Sequence, residues 1–302
     1  MSNVNYLHDV FESCDIVCIQ EHFLYPDNKE FLTSLNDKFD GYVRCEASLN
    51  VFDFPRRRKG GIAIVWRKSI DYAIEPLQDL GNDRIMVVKV TGVNNKPVFI
   101  VNAYMPSANY PFEFYTQMCD ELFFLYLRLI ECGPVILAGD MNAQLAPLAG
   151  RQGKHFAECL RYYKCVSLME HDMCQGPRWT FVPNLHTDGT RIDHICVPVE
   201  FLDSVTECII KPYDDMNTSD HTPVMIYVHL DVEYLHVNTR CIPRWDKIDL
   251  LAYRNNLDSQ LLGGYTDTLS IDEFALYIVN ALNSASNITI PKSTFHRHKR
   301  RY

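Results

Sequence analysis

The stretch LAGDMNAQ, residues 137–144, places an acid and an amide directly after one of the most apolar runs of the chain. The run PVILAG, residues 134–139, is short and rich in branched side chains, which is typical of a buried β-strand. Loops at the ends of strands are where a rigid sheet presents reactive side chains. Asp140 and Asn142 are therefore candidates for a functional site, although GDMN taken alone is also a common way to close a strand with a turn.

Six further runs have the same strand-like character. They are DIVCIQ (15–20), GIAIVW (61–66), RIMVVKV (84–90), VFIVNAY (98–104), RIDHICV (191–197) and PVMIYVHL (223–230). Residues 112–130 and 153–164 between them have the length and composition of helices. Several of the strand-like runs are apolar on both faces, as expected for a sheet that is covered on both sides. The pattern predicts a layered α/β domain.

The composition is that of a globular chain, with 302 residues of which 47% are hydrophobic and 22% are charged. No apolar run approaches the ~20 residues that cross a bilayer, and the first residues lack the features of a signal peptide. We therefore expect an intracellular protein that does not enter a membrane. The eleven cysteines show no CxxC pair, so we interpret them as reduced core thiols and not as disulfides or zinc ligands.

The net charge of −9 argues against a protein that coats nucleic acid through a general positive field. Basic islands such as RRRK, residues 56–59, leave a phosphate-bearing substrate open.

Polar side chains stand at the ends of several of the predicted strands, namely Glu21, Tyr104, Asp140, Asn142, Asp193, Asp220 and His221. If the strands lie side by side, these groups converge into a cluster of carboxylates with one imidazole. Each also has an ordinary structural interpretation, such as a surface carboxylate for Glu21 or a turn for SDH. Asp193 inside an apolar strand is harder to explain in that way, because an unpaired buried charge is costly.

This set of groups suits the hydrolysis of a phosphodiester with the help of a hard cation. Mg²⁺ prefers oxygen ligands, usually one or two carboxylates with waters and phosphate oxygens. Glu21 can hold such a metal, and Asp140 with Asn142 can position the attacking water. His221 can contact the phosphate, with Asp193 accepting the other ring N–H and orienting the imidazole.

Five motifs resemble, in their order along the chain, those of the endonuclease/exonuclease/phosphatase superfamily. They are DIVCIQEH, VNAYMPS, ILAGDMNAQ, RIDHICV and SDHTPVMI. CDIVCIQEHFLYPDN and RRRKGGIAIVWRKS resemble the endonuclease domains of LINE-type (non-LTR) retrotransposons, which are relatives of the apurinic/apyrimidinic endonucleases. The resemblance implies a four-layer α/β sandwich, in which two mixed sheets face each other with helices outside.

The resemblance also implies roles for the matching positions. The metal, Mg²⁺ or Mn²⁺, would be bound by Glu21 and Asp220. The catalytic residues would be Tyr104, Asp140, Asn142, Asp193 and His221, with Tyr104 donating a hydrogen bond to a phosphate oxygen and Asp193 orienting the histidine.

DNA is the substrate that the resemblance implies, and four residues are candidates for contacting it. Arg57 and Arg58 lie in RRRKGG, where cations would contact phosphates without reading sequence, although RRRK is equally well explained as a solvated charge run. Trp179, in GPRWTFV, could stack on a base or wedge a groove. Ser107 stands where many relatives carry an asparagine that touches phosphate, and it can still donate a hydrogen bond.

The chain is predicted to consist of a catalytic domain, residues 1–230, and a helical connector with a basic tail, residues 231–302. Two helices, 244–262 and 270–286, would be joined by Gly263 and Gly264. The connector resembles the one that non-LTR elements place before the reverse transcriptase, so a reverse transcriptase domain is the expected partner in the parent element. Only 20 residues precede Glu21, and we therefore expect the first strand of the family, with its asparagine, to be missing.

The function that these patterns favour is Mg²⁺-dependent nicking of DNA by a retrotransposon endonuclease, at the target site where reverse transcription begins. Two alternatives stay open: a phosphatase of the same superfamily, and a catalytically inactive relic. We expect the protein in the nucleus or the cytoplasm.

Overall fold

The computed structural model describes residues 2–45, 60–92, 97–145, 150–183, 188–230, 241–243, 247–262 and 270–294. The chain divides into an N-terminal unit, Met1–Glu233, and a C-terminal unit, Tyr234–Tyr302. Arg57 and Arg58, the Gly263–Gly264 turn and the basic tail lie outside the described residues.

The N-terminal unit alternates helices and strands along the chain. Its helices are α1 (Ser2–Ser13), α2 (Phe31–Ser34), α3 (Phe112–Ile130) and α4 (Arg151–Tyr162). Its strands are β1 (Ile16–Gln20), β2 (Phe39–Arg44), β3 (Ile62–Arg67), β4 (Ala73–Pro76), β5 (Ile85–Thr91), β6 (Pro97–Tyr104), β7 (Val135–Asp140), β8 (Cys165–Ser167), β9 (Cys174–Gln175), β10 (Asp193–Pro198), β11 (Val205–Ile210) and β12 (Val224–Val228).

These strands form one large sheet and two small ones. The large sheet has the order β4-β5-β6-β7-β10-β8, and all its neighbours are antiparallel except β6 and β7, which run parallel. The small sheets have the orders β1-β3-β2 and β12-β11-β9. The predicted mixed α/β architecture is thereby confirmed.

Helices α3 and α4 cover one face of the large sheet. Leu122 and Phe123 of α3 and Phe156 of α4 are completely buried against residues of the sheet such as Val101 and Leu137. Fully burying side chains of this size contributes about 1.5–3 kcal/mol each, so this apolar layer is a main source of stability. Length and composition predicted both helices from the sequence, at 112–130 and 153–164.

The two small sheets cover the other face of the large sheet. Ile136 and Ala138 pack with Cys208 and Ile210 of β11. Met86 and Val88 pack with Ile62 and Ile64 of β3. Helices α1 and α2 then cover the outer face of β1-β3-β2 through Phe11 and Leu32, which gives the expected four layers.

The structure differs from the expected sandwich in that the second sheet layer consists of two separate sheets. β1 and β12 are both edge strands in the described part of the chain. A cavity of about 940 Å³ is lined by both of them and reaches Glu21 and Asp140. Helix α1 is the first described element and leads directly into β1.

Several short strands were not predicted from the sequence, namely β2, β4, β8, β9 and β11. In β2, the sequence FDGYVR contains an aspartate and a glycine, which have low strand propensity. The strand forms because β3 pairs with it over its whole length, from Phe39–Arg67 to Arg44–Ile62. Compared with the prediction, α4 begins and ends two residues earlier, and β10 begins two residues later and ends one residue later.

The C-terminal unit contains the two predicted helices, α5 (Leu250–Leu262) and α6 (Ile271–Thr289), and a pair of antiparallel strands, β13 (Cys241–Pro243) and β14 (Lys292–Thr294). Ser270 and Glu273 form a capping box that starts α6. The hydroxyl of Tyr277 joins the helices by donating to the carbonyls of Gln260 and Leu261, at 2.7 and 2.9 Å. Among the described residues, no helix is both long and apolar enough to cross a membrane.

The buried side-chain amide of Asn102 joins the β1-β3-β2 sheet to the large sheet. The side-chain nitrogen of Asn102, in β6, donates to the carbonyls of Ile19 and Ala63, both at 2.9 Å. Its side-chain oxygen accepts a hydrogen bond from Gln20 at 2.6 Å. Asn102 is fully buried, so each of these bonds lies in a low-dielectric environment.

We predict that Asn102→Ala lowers the free energy of unfolding by about 2–4 kcal/mol, because it leaves two carbonyls and the Gln20 amide without partners. Urea denaturation of the full chain measures this effect. Asn28→Ala is the matched control, since Asn28 is exposed and its substitution should change stability by less than about 0.5 kcal/mol. Equal stabilities of the two variants would contradict the bridging role of Asn102.

Candidate active site

Three predicted site residues lie in one row across the large sheet. Tyr104 at the end of β6 is opposite Asp140 at the end of β7, and Asp140 is opposite Asp193 at the start of β10. The parallel pair β6 and β7 ends where the antiparallel strand β10 begins, so the three side chains emerge at the same edge of the sheet. Asp140 and Asp193 are both buried.

Asp193 holds His221, as predicted from the sequence. The ring Nδ1 of His221 lies 2.9 and 3.1 Å from the two carboxylate oxygens of Asp193. The hydroxyl of Thr180 donates to the same carboxylate at 2.6 Å, and it accepts the backbone N–H groups of Ile192 and Asp193. The ring of Phe181 packs against the imidazole of His221, with the two ring centroids 4.8 Å apart. Thr180 thus fixes the residue that orients the histidine.

The surroundings of His221 favour its protonated form. Burial lowers the pKa of His221, but the hydrogen bond and charge of Asp193, with the charges of Asp140 and Glu21, outweigh it and raise the pKa to about 9. Since Nδ1 is held by Asp193, Nε2 is the atom that can present a proton to a ligand.

Asn142 holds the carboxylate of Asp140 from two sides. Its backbone N–H donates to Oδ1 at 2.8 Å, and its side-chain amide donates to Oδ2 at 3.0 Å and to the carbonyl of Met105 at 2.8 Å. Asn142 has a φ of +47°, a left-handed conformation that asparagine tolerates better than most residues. The amide after the strand therefore completes a local turn that fixes the aspartate.

The pKa of Asp140 is raised to about 8, first by burial and then by the charge of Asp193. The charge of His221 and the backbone N–H of Asn142 oppose this rise. A second buried carboxylate nearby thus makes the ionised form of Asp140 costly without a cation.

Glu21 meets Tyr104 at the mouth of the site. The Tyr104 hydroxyl donates to Oε1 of Glu21 at 2.5 Å, and burial together with this carboxylate raises the pKa of Tyr104. The guanidinium of Arg84 lies 4.8 Å from the Tyr104 ring. Glu21 has a φ of +54°, which is uncommon for a residue other than glycine and is often found at functional sites.

The glycine pair of RRRKGG supports this conformation of Glu21. The backbone N–H groups of His22 and Phe23 donate to the carbonyls of Gly61 and Gly60, at 3.4 and 3.2 Å. Gly61 has a φ of +88°, and a Cβ there would lie 2.5 Å from the His22 ring. Position 61 therefore requires glycine, both for its backbone conformation and for the close packing on His22.

A buried histidine that the sequence analysis did not single out stabilises the loop after Asn142. His194 alternates with Asp193 along β10, so its side chain lies on the opposite face. Its Nε2 donates to the carbonyl of Ala143 at 2.8 Å, and Nδ1 is 2.8 Å from the hydroxyl of Ser167. Burial lowers the pKa of His194, which favours this neutral, hydrogen-bonded form. A histidine inside an apolar strand is the sequence signal that could have found it.

The other predicted residues are not brought into this cluster. The side chain of Asp220 is exposed, its carbonyl accepts from Val182 at 2.8 Å, and its carboxylate has no hydrogen bond or ion pair within the described residues. Ser107 is half-buried and accepts a backbone hydrogen bond from Tyr110. Trp179 is half-buried and packs so closely on Gly189 that a Cβ there would lie 2.6 Å from it.

The chemistry of the clustered residues fits a divalent cation. Ligand atoms of Asp140, Asp193 and His221 lie within 4.8 Å of one another. The carboxylate of Glu21 is close enough for its charge to act on Asp140. Carboxylate oxygens are the preferred ligands of Mg²⁺ and Mn²⁺, and a cation would relieve the repulsion that raises the pKa of Asp140. The assignment of Glu21 and Asp220 as the ligands stays a prediction.

Comparison with known proteins gives one family and several similar structures. Residues 2–221 match the Endonuclease/Exonuclease/phosphatase family. None of the curated proteins matches the sequence. The AP endonuclease LMAP from Leishmania major is 17% identical with a TM-score of 0.59, covering 75% of this chain and 83% of that chain.

Two further solved structures are similar to this chain in fold. The endonuclease domain of TRAS1, a telomere-specific non-LTR retrotransposon, is 14% identical with a TM-score of 0.55, covering 76% of this chain and 93% of its own. A mannosyl-6-phosphatase from Bacteroides thetaiotaomicron is 16% identical with a TM-score of 0.52, covering 76% and 90%. At these identities the similarity is one of fold.

We predict that, in EDTA, the free energy of unfolding falls as the pH rises from 6.5 to 9. The folded pKa of His221, about 9, is above its ordinary value of 6.5, so its contribution is complete below 6.5 and is lost as the pH rises through 9. Asp140, with its raised pKa, acts in the same direction. The expected fall is roughly 1–3 kcal/mol.

Urea denaturation at a series of pH values measures this fall, and His221→Gln should make it shallower. If the free energy of unfolding of His221→Gln falls by as much as that of the wild type, His221 does not contribute to the pH dependence. That result would contradict the raised pKa of His221.

Proposed function

Because this chain belongs to the endonuclease/exonuclease/phosphatase family, we propose that its N-terminal unit is a divalent-metal-dependent DNA endonuclease of a non-LTR retrotransposon. It would nick the target site at which reverse transcription begins. The observation that carries the proposal is the row of Tyr104, Asp140 and Asp193, with His221 held by Asp193. The fold similarity to the TRAS1 endonuclease domain, over 93% of that domain, supports the retrotransposon assignment.

His221 has the properties needed to contact the scissile phosphate. Its raised pKa keeps the ring protonated at neutral pH, and Asp193 holds Nδ1 so that Nε2 donates to a phosphate oxygen. A preoriented charged donor in a buried site stabilises negative charge that develops in the transition state. Asp193 and Thr180 act through His221, as positioning residues.

Asp140 has the properties needed to position the attacking water. Asn142 fixes its carboxylate, and the cation proposed for this site would lower the raised pKa of Asp140, so that the group is ionised and can accept a proton near neutral pH. Water attacks phosphorus, its proton passes to a carboxylate oxygen of Asp140, and the bond to the leaving oxygen breaks. Tyr104 keeps its proton because its pKa is raised, so it is a hydrogen-bond donor to a phosphate oxygen.

Glu21 and Asp220 are the proposed ligands of Mg²⁺ or Mn²⁺. When bound, the ion neutralises charge on the phosphate oxygens. Glu21 faces the cavity that also reaches Asp140 and Asp193, which supports its role. Asp220 immediately precedes His221, but its side chain is exposed, so its role depends on a change of rotamer.

DNA contacts are proposed for Arg57 and Arg58 through phosphates, for Trp179 through stacking, and for Ser107 through a phosphate hydrogen bond. Trp179 is half-buried and precedes by two residues Phe181, whose ring packs on His221, and this supports the proposal for Trp179. We propose that residues 231–302 are the connector to a reverse transcriptase and that the protein acts in the nucleus.

A phosphatase is the second candidate function. The fold similarity to the mannosyl-6-phosphatase, over 90% of that chain, favours it, and the clustered carboxylates and histidine suit either chemistry. The separate edge strands β1 and β12 favour the inactive relic as a third candidate.

We predict that the full chain nicks supercoiled plasmid in Mg²⁺, that EDTA abolishes nicking, and that His221→Ala slows it by about 100-fold or more. His8→Ala is the matched control, because His8 is an exposed histidine of the same unit and its substitution should leave the rate unchanged. Parallel assays with sugar phosphates and inositol phosphates test the phosphatase alternative.

Release of phosphate without nicking would favour the phosphatase. Folded protein that is inactive in both assays would favour the relic. Equal nicking by His221→Ala and the wild type would overturn the proposed site.

We also predict that replacing both Arg57 and Arg58 by alanine weakens binding to duplex DNA and lowers its dependence on salt. Loss of two phosphate contacts would reduce the slope of log K against log salt by about 1.8, since each contact contributes about 0.9. Arg161→Ala, an exposed arginine at the end of α4, is the control with an unchanged slope. Fluorescence anisotropy across salt concentrations measures these slopes, and an unchanged slope in the double variant would exclude phosphate contacts by this loop.

A further inference from the structure

A second group of metal-ligating side chains lies on the helical face of the large sheet. Cys119 belongs to α3, and His155 and Cys159 belong to α4. One ligand atom of each lies within 4.8 Å of the others, and Cys159 Sγ is 3.9 Å from His155 Nε2. Cys119 is completely buried and the other two are half-buried, so the group is accessible from one side.

The two helices present these side chains to one another in a fixed arrangement. His155 and Cys159 are four residues apart and therefore share one face of α4. The ring of Phe112 in α3 meets the His155 ring edge-on, and Phe123 packs on Phe156. The ring centroids are 6.0 Å apart in both pairs. The aromatic contacts hold both helices at this crossing, so the three ligands need little reorganisation to meet one ion.

The local charges favour a cation. The Cys119 thiol donates a hydrogen bond to Cys159, which lowers the pKa of Cys159 below its ordinary value. The charges of Asp120 and Glu158 act on the same sulfur and raise the pKa of Cys159, so they oppose the effect of this hydrogen bond. A divalent ion bound between the two sulfurs would offset these negative charges and favour the loss of the thiol protons.

We propose that Cys119, His155 and Cys159 bind one Zn²⁺ ion, with the fourth position open to water. In tetrahedral zinc the usual Zn–S and Zn–N lengths separate sulfur and nitrogen by about 3.6 Å, close to the distance between Cys159 and His155. Two thiolates and an imidazole select a softer ion than the carboxylates beside His221. Binding would release the two thiol protons, one each from Cys119 and Cys159.

The ion would join the helices that follow the strands carrying Tyr104 and Asp140. Helix α3 follows β6, and α4 follows β7. Zinc would therefore stabilise the framework of the N-terminal unit without touching the substrate. This site stands apart from the proposed nuclease chemistry and would exist whether or not the chain cleaves DNA. It assigns a role to two thiols that the sequence indicated to be simple core residues.

Titration of the full chain with Co²⁺, under a non-coordinating phosphine reductant, tests the proposal. Cobalt bound to thiolate gives a charge-transfer absorption that carboxylate ligands do not give, so the signal separates this site from the carboxylate cluster. We expect the absorption to saturate at one equivalent, to be displaced by Zn²⁺, and to be lost in Cys159→Ser. His155→Ala should weaken cobalt binding at least tenfold.

Cys132→Ser is the matched control, because Cys132 is an exposed thiol on the chain segment after α3 and should not contribute to the absorption. Zinc should also raise the thermal midpoint of the wild type and of Cys132→Ser by the same amount, and that of Cys159→Ser by less. Folded wild type without the absorption would overturn the proposal. So would an absorption that persists in Cys159→Ser, or a Cys119–Cys159 disulfide that resists the reductant.

Discussion

The amide of Asn102 is the contact on which the geometry of the site depends, because it is a fully buried polar bridge between the β1-β3-β2 sheet and the large sheet, next to the residues of the site. It binds the carbonyls of Ile19 and Ala63 and the side chain of Gln20. Gln20 immediately precedes Glu21, and Asn102 lies two residues before Tyr104. Apolar contacts tolerate small displacements of one sheet over another, whereas a buried amide with three partners does not. The 2.5 Å contact between Tyr104 and Glu21 therefore rests on this bridge.

The same unit contains two groups of side chains whose chemistry suits a metal ion, one beside His221 and one between α3 and α4. The carboxylates near His221 are oxygen donors whose mutual repulsion a hard cation would relieve. The cysteines and histidine between α3 and α4 are softer ligands. The oxygen donors prefer a hard ion, and the sulfur and nitrogen donors prefer a softer one. The proposed catalytic and structural ions would therefore not compete for the same site.

Much of the site was predictable because strand ends converge once the strands are adjacent. Asp140, Asn142 and Asp193 followed from polar residues next to apolar runs, and the pairing of Asp193 with His221 followed from the need to orient an imidazole through its other ring N–H. Thr180 and His194 were not predicted, since a threonine in a loop and a histidine in a strand gain their roles only from partners distant in sequence. Asp220 was predicted as a site residue, but its side chain is exposed, because a position next to His221 in sequence does not determine where the side chain points.

The sequence by itself determined the class of fold, the long strands and helices, and the kinds of groups at the strand ends. It did so because hydrophobic periodicity and residue type are local properties. Only the tertiary structure decided that one sheet layer is divided into β1-β3-β2 and β12-β11-β9, that Gly61 packs on His22, and that Cys119 meets His155 and Cys159. These features depend on which edges pair and which faces pack, and contacts across tens of residues leave no periodic signal in the chain.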